Sequence, residues 1–317
     1  IPNQNTNNFA NDILIIDSKS TILKHSFSTA YYFAAVTSSI LLADINYDCI
    51  PEIIIAALDD NINEVKFRGK LVCYDINGNV LWISNKDYGT ALTTFRQGGT
   101  IAITDFNRDG IPEVYIYNEI FNAQTGIKLC TGGNFGVGLG NSATGRFANS
   151  LAINVDDDPN DLELIAGYTV YKIQINNLSG ETGNLIIPNN IQINNTSIDG
   201  LTGFADLNND SVPEIIISSN ASSSLSGLYI YSFKNGAYLL VSGPNKFFVN
   251  EIWITGIPLV TKFSTSTKVK CVLSKDDKII IVDLDNNGNL NIDNILPVND
   301  GSARLGVTSF DLNGDGS

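Results

Sequence analysis

A nine-residue pattern, with Asp or Asn at positions 1, 3 and 5 and Glu at position 9, recurs along this chain and is followed each time by an apolar run. Clear copies begin at Asp44 (DINYDCIPE), Asp105 (DFNRDGIPE) and Asp206 (DLNNDSVPE). A looser copy with one inserted residue begins at Asn154, and a truncated copy begins at Asp311. Because similar units return about every 50 residues, we expect an array of repeated supersecondary units.

The step from Asp206 to Asp311 spans about two repeats, which predicts a further copy near residue 260. The segment TKFSTSTKVKCVLS, from Thr261, aligns there with TDFNRDGIPEVYIY. Its apolar run is kept, but Lys262 stands at the first acidic position and Lys270 at the Glu position. The apolar part of the pattern is therefore architectural, and we expect this fifth repeat to bind no metal.

Two further apolar segments separated by a turn follow the acidic loops. They occupy Lys70–Ser84, Leu228–Ser242 and Ile279–Asp293, with Asn-Gly pairs at Asn77, Asn235 and Asn287. These pairs predict two-residue hairpin turns with a left-handed backbone. One more apolar segment, such as Thr100–Thr104, precedes each acidic loop. Short β-branched runs bounded by Gly, Asn and Asp predict strands rather than helices, so each repeat is expected to be a four-stranded meander.

Four-stranded units at this period predict an all-β fold, a β-propeller of four-stranded antiparallel blades. Six repeats are visible, which leaves six or seven blades open, and residues 1–317 are expected to form one domain. The expected units are an outer hairpin at 12–28, repeats at 30–88, 92–131, 145–188, 198–243 and 252–296, and a truncated repeat at 303–317. We expect the N- and C-terminal half-blades to pair, with residues 305–310 beside the hairpin Asp12–Ser26.

The composition excludes several classes of partner and site. A net charge of −14 argues against nucleic acid or an anionic membrane as partner, because the field of the molecule repels phosphate. No apolar run approaches the roughly 18 residues that a membrane-spanning helix needs. The chain contains no Met, which indicates a segment processed or excised from a longer protein.

The four cysteines show no paired spacing, which argues against a zinc site or a redox motif. Cys73 and Cys271 lie inside apolar runs and are expected to be core residues. Cys49 and Cys73 fall on expected neighbouring strands, so a disulfide between them is left open.

The acidic loops have the chemistry of a cation site. Side chains at positions 1, 3 and 5 point into one cavity, position 7 adds a main-chain carbonyl, and the Glu at position 9 closes the far side. Oxygen ligands in this number fit Ca²⁺ better than Mg²⁺. An EF-hand needs its Glu at position 12 and a helix afterwards, whereas here Pro51, Pro112 and Pro213 precede the Glu and an apolar strand follows. A solvated acidic turn does not explain the recurrence of the same positions.

The pattern D-x-N-x-D-x-x-P-E before an apolar strand resembles the FG-GAP/VCBS repeats of propellers related to integrin α-subunits, over nearly the whole chain. The resemblance implies bound Ca²⁺, with four complete sites and a fifth that is truncated. The implied ligands are Asp44, Asn46, Asp48, the Ile50 carbonyl and Glu52; Asp105, Asn107, Asp109, the Ile111 carbonyl and Glu113; Asn154, Asp156, Asp158 and Glu163; Asp206, Asn208, Asp210, the Val212 carbonyl and Glu214; and Asp311, Asn313 and Asp315. The insertion leaves the carbonyl ligand of the third loop undetermined.

Propellers of this kind serve as adhesion modules, lectins, parts of surface or toxin proteins and, in some cases, polysaccharide lyases. We favour a binding or adhesion module, with a structural scaffold and a lyase-type enzyme as the alternatives. The one histidine, His25, lies on an expected outer strand, and no catalytic residue is predicted. The calcium loops and the Asn-rich composition predict an extracellular bacterial protein, secreted or on the cell surface, with further domains in the longer chain.

A ligand site is expected on the face opposite the calcium loops. Arg96, Arg146 and Arg304 lie seven to nine residues ahead of their acidic loops, and Trp253 and Tyr32 fall nearby in other repeats. Arginine recognises carboxylates through two hydrogen bonds, and aromatic rings stack on sugars. These residues therefore predict a carboxylated glycan or an acidic peptide as the ligand. The alternative is that they cap strand ends and form structural ion pairs.

Overall fold

The structure is a computed structural model that describes residues 2–4, 9–16, 19–28, 33–35, 38–58, 69–89, 99–139, 148–156, 158–191, 198–219, 224–234, 237–245, 247, 255–263, 266–275 and 277–298. These residues form 24 strands and no helix, which confirms the all-β prediction. Within the described part of the chain, no helix has the length and apolar character required to cross a membrane.

The first sheet has eight strands. They are β1 (Pro2–Gln4), β2 (Phe9–Ile16), β3 (Leu23–Ser28), β4 (Phe33–Ala35), β5 (Ile40–Ala43), β6 (Glu52–Leu58), β7 (Gly69–Tyr74) and β8 (Val80–Ile83). Strands β5 to β8 form an antiparallel meander. Strands β2 and β3 form the expected N-terminal hairpin, and β4 links β2 to β6.

Each of the other four sheets is a meander of four consecutive antiparallel strands. The second sheet contains β9 (Ala102–Thr104), β10 (Glu113–Ile116), β11 (Glu119–Asn122) and β12 (Lys128–Thr131); the third contains β13 (Ser150–Ile153), β14 (Glu163–Ala166), β15 (Thr169–Gln174) and β16 (Leu185–Asn190). The fourth contains β17 (Leu201–Ala205), β18 (Glu214–Ser219), β19 (Gly227–Lys234) and β20 (Ala237–Asn245); the fifth contains β21 (Leu259–Thr261), β22 (Lys270–Lys275), β23 (Lys278–Leu284) and β24 (Leu290–Pro297). The meander expected for each of the first five repeats is therefore present.

The sheets stack face to face in chain order. Successive side chains on a strand point to opposite faces, and both faces of the second strand of each meander are buried. On β6, Ile53 packs toward the N-terminal hairpin and Ile54 toward the second sheet. On β10, Val114 faces the first sheet and Tyr115 the third. The same alternation on β14 and β18 joins the third, fourth and fifth sheets, so apolar clusters between neighbouring sheets form the core.

Two of the Asn-Gly turns differ from the prediction. The N–H of Asp75 donates to the carbonyl of Asn79 (2.9 Å), and the N–H of Gly78 donates to the carbonyl of Asp75 (3.1 Å), which leaves three residues in the loop. The left-handed residue is Gly78, with φ of 89°, and not the Asn before it. The turn at 285–289 repeats this geometry. The turn at 234–237 keeps two residues between its paired strand ends, as predicted.

The N-terminal hairpin packs Ile13 against the β5–β8 meander of the same sheet, in a cluster with Ile53 and Val72. Its strand β2 also pairs with β1 and β4, contacts that the sequence analysis did not foresee. Residues 305–310, the expected partner of this hairpin, lie outside the described residues. Cys49 and Cys73 are both free, so no disulfide joins them, and Cys73 and Cys271 are buried in the core as expected.

Candidate metal centres

The acidic loops lie side by side along one edge of the stacked sheets. They join the first two strands of each of the first four meanders: residues 44–51 join β5 to β6, residues 105–112 join β9 to β10, residues 154–162 join β13 to β14, and residues 206–213 join β17 to β18. The Tyr47 hydroxyl of the first loop donates to the Gly110 carbonyl of the second. The N–H of Leu162 in the third loop donates to the Phe106 carbonyl of the second, at 2.9 Å.

The first loop is folded by hydrogen bonds from its own main chain to its acidic side chains. Asp44 accepts the N–H groups of Asp48 (3.1 Å) and Cys49 (2.8 Å) through its two carboxylate oxygens. Asp48 accepts the N–H of Ile50 at 2.8 Å. Glu52 reaches back to the N–H of position 2, Ile45, at 2.9 Å. The side chains at positions 1, 5 and 9 therefore all accept hydrogen bonds from the main chain of one turn.

The second and fourth loops repeat this pattern, with corresponding distances of 2.8–3.3 Å. Positions 4 and 6 have a left-handed backbone in all three loops. These residues are Tyr47 and Cys49, Arg108 and Gly110, and Asn209 and Ser211. A non-glycine residue in this conformation costs roughly 1 kcal/mol, so the loops keep a strained geometry that their side-chain hydrogen bonds stabilise.

The Glu at position 9 is buried in all four acidic loops. Glu52, Glu113, Glu163 and Glu214 are at most 4% exposed. Burial raises the pKa of Glu113 to about 8 and that of Glu214 to about 7, although a main-chain N–H on each carboxylate opposes the rise. The two aspartates of each loop raise these pKa values further. Each of these carboxylates thus lies where a neighbouring positive charge would stabilise its ionised form.

The amide at position 3 contacts the converging carboxylates. In the first loop, Asn46 Nδ2 lies 3.1 Å from Asp48 Oδ2 and 3.1 Å from Glu52 Oε1. The fourth loop has the same arrangement, at 3.0 and 3.2 Å. In the second loop the Asn107 amide donates to Asp109 Oδ2 (3.0 Å) and, in place of the Glu, to the Ile175 carbonyl (3.1 Å), and Glu113 Oε1 has no hydrogen-bond partner. A partly positive N–H group therefore lies between two carboxylates in two of the loops.

These residues fit a bound Ca²⁺. The side-chain donors are carboxylate and amide oxygens only, the set that Ca²⁺ prefers. The second loop has a buried, unpaired carboxylate oxygen at Glu113, and a buried polar atom without a partner needs an explanation. Asp105, Asp109 and Glu113 would hold the ion in that loop, with the Asn107 amide turned to present its oxygen.

The third loop departs from the predicted ligand set. The Asp158 carboxylate accepts the N–H (3.0 Å) and the amide group (2.8 Å) of Asn160. Asp161 instead joins Asp156 and Glu163, with one ligand atom from each within 4.8 Å of the others. Asp161 is absent from the predicted ligand set because the positions of that set were counted from the first residue of the loop. Numbered back from the Glu, Asp161 stands at position 7, where the other loops offer a carbonyl.

The fifth repeat carries a lysine in place of the Glu. Lys270 is 6% exposed, and its Nζ lies 2.6 Å from Asp283 Oδ2 and 3.5 Å from Asp293 Oδ1. Burial lowers the pKa of Lys270, but the hydrogen bond and the charge of Asp283 and the charge of Asp293 more than offset it, so the pKa is raised. A permanent ammonium group thus supplies positive charge here, and the absence of metal from this repeat stays a prediction.

Lys270→Met is expected to lower the free energy of unfolding by about 2 kcal/mol, because Asp283 loses its partner in a half-buried site. Urea unfolding measures this effect. Lys278→Met, which removes an ion pair with Asp277 from a lysine that is 38% exposed, is the control and should change stability by less than about 0.5 kcal/mol. Equal stability of Lys270→Met and the unmodified chain would contradict the role given to Lys270.

The expected ligand residues Tyr32, Arg96, Arg146, Trp253 and Arg304 lie outside the described residues, as do Asp311, Asn313 and Asp315 of the truncated loop. The described strand-end residue Asp199 has a structural role. Its carboxylate accepts the N–H groups of Val137 (3.3 Å), Gly138 (3.1 Å) and Leu139 (3.0 Å). This segment belongs to the glycine-rich connection between the second and third sheets. His25 is exposed on β3.

Comparison with known proteins adds no relative from which a role could be transferred: no family model matches the chain, and no curated protein matches it.

Proposed function

We propose that the chain is a calcium-stabilised β-propeller of the FG-GAP/VCBS kind that acts as a ligand-binding or adhesion module of an extracellular protein. The observation that carries the proposal is the recurrence of one loop geometry in the first, second and fourth repeats. Each of these loops brings two aspartates and one buried glutamate together. Chance surface turns do not share both left-handed positions and the same set of side-chain hydrogen bonds.

The propeller part of the proposal is supported by the stacking of the meanders. Five sheets follow one another in chain order, and each pair of neighbouring sheets shares an apolar cluster. A radial array of such sheets has its first-to-second strand loops on one side. The contacts from Tyr47 to Gly110 and from Leu162 to Phe106 agree with that arrangement.

The binding part of the proposal rests on the different properties of the two ends of the strands, one of which carries the acidic loops. At one end, the acidic loops are held in shape by hydrogen bonds from their own main chain to their own side chains, and a bound metal would make this end a rigid scaffold. Connections at the other end of the strands are free to vary, as binding loops on rigid scaffolds do. We infer that Arg96, Arg146 and Arg304, with Trp253 and Tyr32, form a basic, aromatic site there for a carboxylated glycan or an acidic peptide.

Replacement of Arg96, Arg146 and Arg304 together by Ala is expected to abolish binding to an acidic-polysaccharide array, because the bidentate partners of the carboxylates are removed. Calcium-dependent melting of the triple variant should match that of the unmodified chain. Arg68→Ala serves as the control for loss of one positive charge. Binding that survives the triple replacement would rule out this site and leave the calcium scaffold untouched.

A further inference from the structure

The third acidic loop differs from the others by a lysine beside its carboxylates. Lys172 on β15 pairs in register with Glu163 on β14. Its Nζ lies 3.3 Å from Asp161 Oδ2 and 3.7 Å from Asp156 Oδ2. The side chain is 38% exposed. This loop therefore carries a positive charge of its own, held at the open side of the acidic cluster.

Among the residues that the structure describes, the other acidic loops have no such ion-paired charge, since Arg108 of the second loop forms no ion pair with an acidic side chain of that loop. Asn122 lies opposite Glu113, and Ser232 lies opposite Glu214. No described Lys or Arg forms an ion pair with an acidic side chain of the first, second or fourth loop. Lys172 is thus specific to the loop whose register is shifted by an inserted residue.

The Glu163 side chain is a second, independent sign of a ligand. It is 4% exposed, and its Oε2 accepts the N–H of Val155 at 2.8 Å. Its Oε1 has no hydrogen-bond partner, and neither has Oδ1 of Asp161. One ligand atom from each of Asp156, Asp161 and Glu163 lies within 4.8 Å of the others. Unsatisfied buried oxygens that face other carboxylates are costly unless a cation binds them.

We propose that the third loop is a divalent-cation site in which Lys172 is a resident counter-ion that the incoming cation displaces. The inference rests on the proposed calcium function. Without metal, the ammonium neutralises part of the cluster. A divalent ion held by the same carboxylates repels the ammonium at this distance, and the exposed lysine can move into solvent. Lys270 of the fifth repeat, at 6% exposed, has no such freedom.

This displacement makes the third loop the weakest of the four sites. Binding there costs the two ion pairs of Lys172, whereas the other loops lose no ion pair. The third site should therefore fill last as Ca²⁺ is added.

Calorimetric titration of the metal-stripped full chain with CaCl₂ tests the proposal. Lys172→Met is expected to raise the affinity of one weak site by up to about tenfold, since the interaction of two unit charges at 3.3–3.7 Å in water is worth roughly that much. Asp161→Asn should remove that same site and leave the tighter ones. Lys278→Met, a lysine of equal 38% exposure paired with Asp277, is the matched control and should leave every site unchanged.

Two results would overturn the inference: an unchanged titration for Lys172→Met, or an unchanged number of sites for Asp161→Asn. Lys172→Arg keeps the charge and should retain the weak site, which separates loss of charge from loss of packing if Lys172→Met folds poorly. Three sites of equal Ca²⁺ affinity, with no binding at the third loop, would contradict this inference but not the proposed calcium function. No calcium binding by the unmodified chain would defeat the proposed function itself.

Discussion

Excess EDTA is expected to lower the melting temperature of this protein by about 10 °C or more, and millimolar Ca²⁺ should restore it. Without metal, each acidic loop holds several carboxylates on one turn, in the third loop with three ligand atoms within 4.8 Å of one another, and like charges so placed repel. At free Ca²⁺ about ten times the dissociation constant, each site adds roughly 1.4 kcal/mol, so four sites add about 6 kcal/mol. The total stability of a domain is typically about 5–15 kcal/mol.

Circular dichroism melting with and without Ca²⁺ measures this effect. The variant Glu113→Gln tests whether the effect depends on a carboxylate of the acidic loop. The variant should be less stable than the unmodified chain in Ca²⁺, because a ligand charge is lost. In EDTA it should be equally stable or more stable, because a buried carboxyl group with one unpaired oxygen is replaced by a neutral amide. Mg²⁺ at the same concentration should rescue poorly, since it demands stricter geometry. A melting curve that EDTA leaves in place would refute calcium stabilisation.

The strands and their grouping into meanders could be predicted from the sequence, because both follow from local patterns. The run EIIIAA from Glu52 is buried along its length, and its alternate side chains face two clusters. The three-residue turn at Asp75 could not be predicted from its Asn-Gly pair. Its length is set by the Asp75 carboxylate, which accepts the N–H groups of Asn77 and Asn79.

The acidic loops show the same difference between what local sequence determines and what distant contacts determine. The turn of the first loop follows from local sequence, because it is closed by hydrogen bonds within nine residues. The role of Asp161 was missed because an insertion makes the register ambiguous from either end. Lys172 lies on the next strand, and only the pairing of β14 with β15 brings it to the loop.

Asp199 connects three successive sheets. It precedes β17 in the fourth sheet, and it accepts N–H groups from the connection between the second and third sheets. In the third sheet, a Cβ added to Gly167 would lie 1.6 Å from Asp199 Oδ1, so only glycine fits there. The side chain thus fixes the glycine-rich segment against the stack, a role that its sequence neighbours do not reveal.

Asp199→Ala is expected to lower the free energy of unfolding by about 3–5 kcal/mol, because three main-chain donors lose their acceptor. Asp199→Asn should cost less, about 1–2 kcal/mol, since the amide keeps one acceptor oxygen but turns an N–H group toward the remaining donor. Urea unfolding in saturating Ca²⁺ measures both variants. Asp277→Ala, which removes an exposed aspartate, is the control and should change stability by less than about 0.5 kcal/mol.

The pH dependence of the same variants tests the state of the Asp199 carboxyl group. Loss of water around it raises its pKa to about 7, against the opposing effect of its main-chain hydrogen bonds. A group whose pKa is raised on folding binds more protons in the folded state than in the unfolded state. Its contribution to the free energy of unfolding is therefore largest below its ordinary pKa and is lost as pH rises through about 7. The stability difference between the unmodified chain and Asp199→Asn should therefore shrink between pH 5 and pH 8, by up to about 1.4 kcal/mol per pH unit. A difference that grows with pH would show that the main-chain donors dominate and that the carboxylate is ionised throughout.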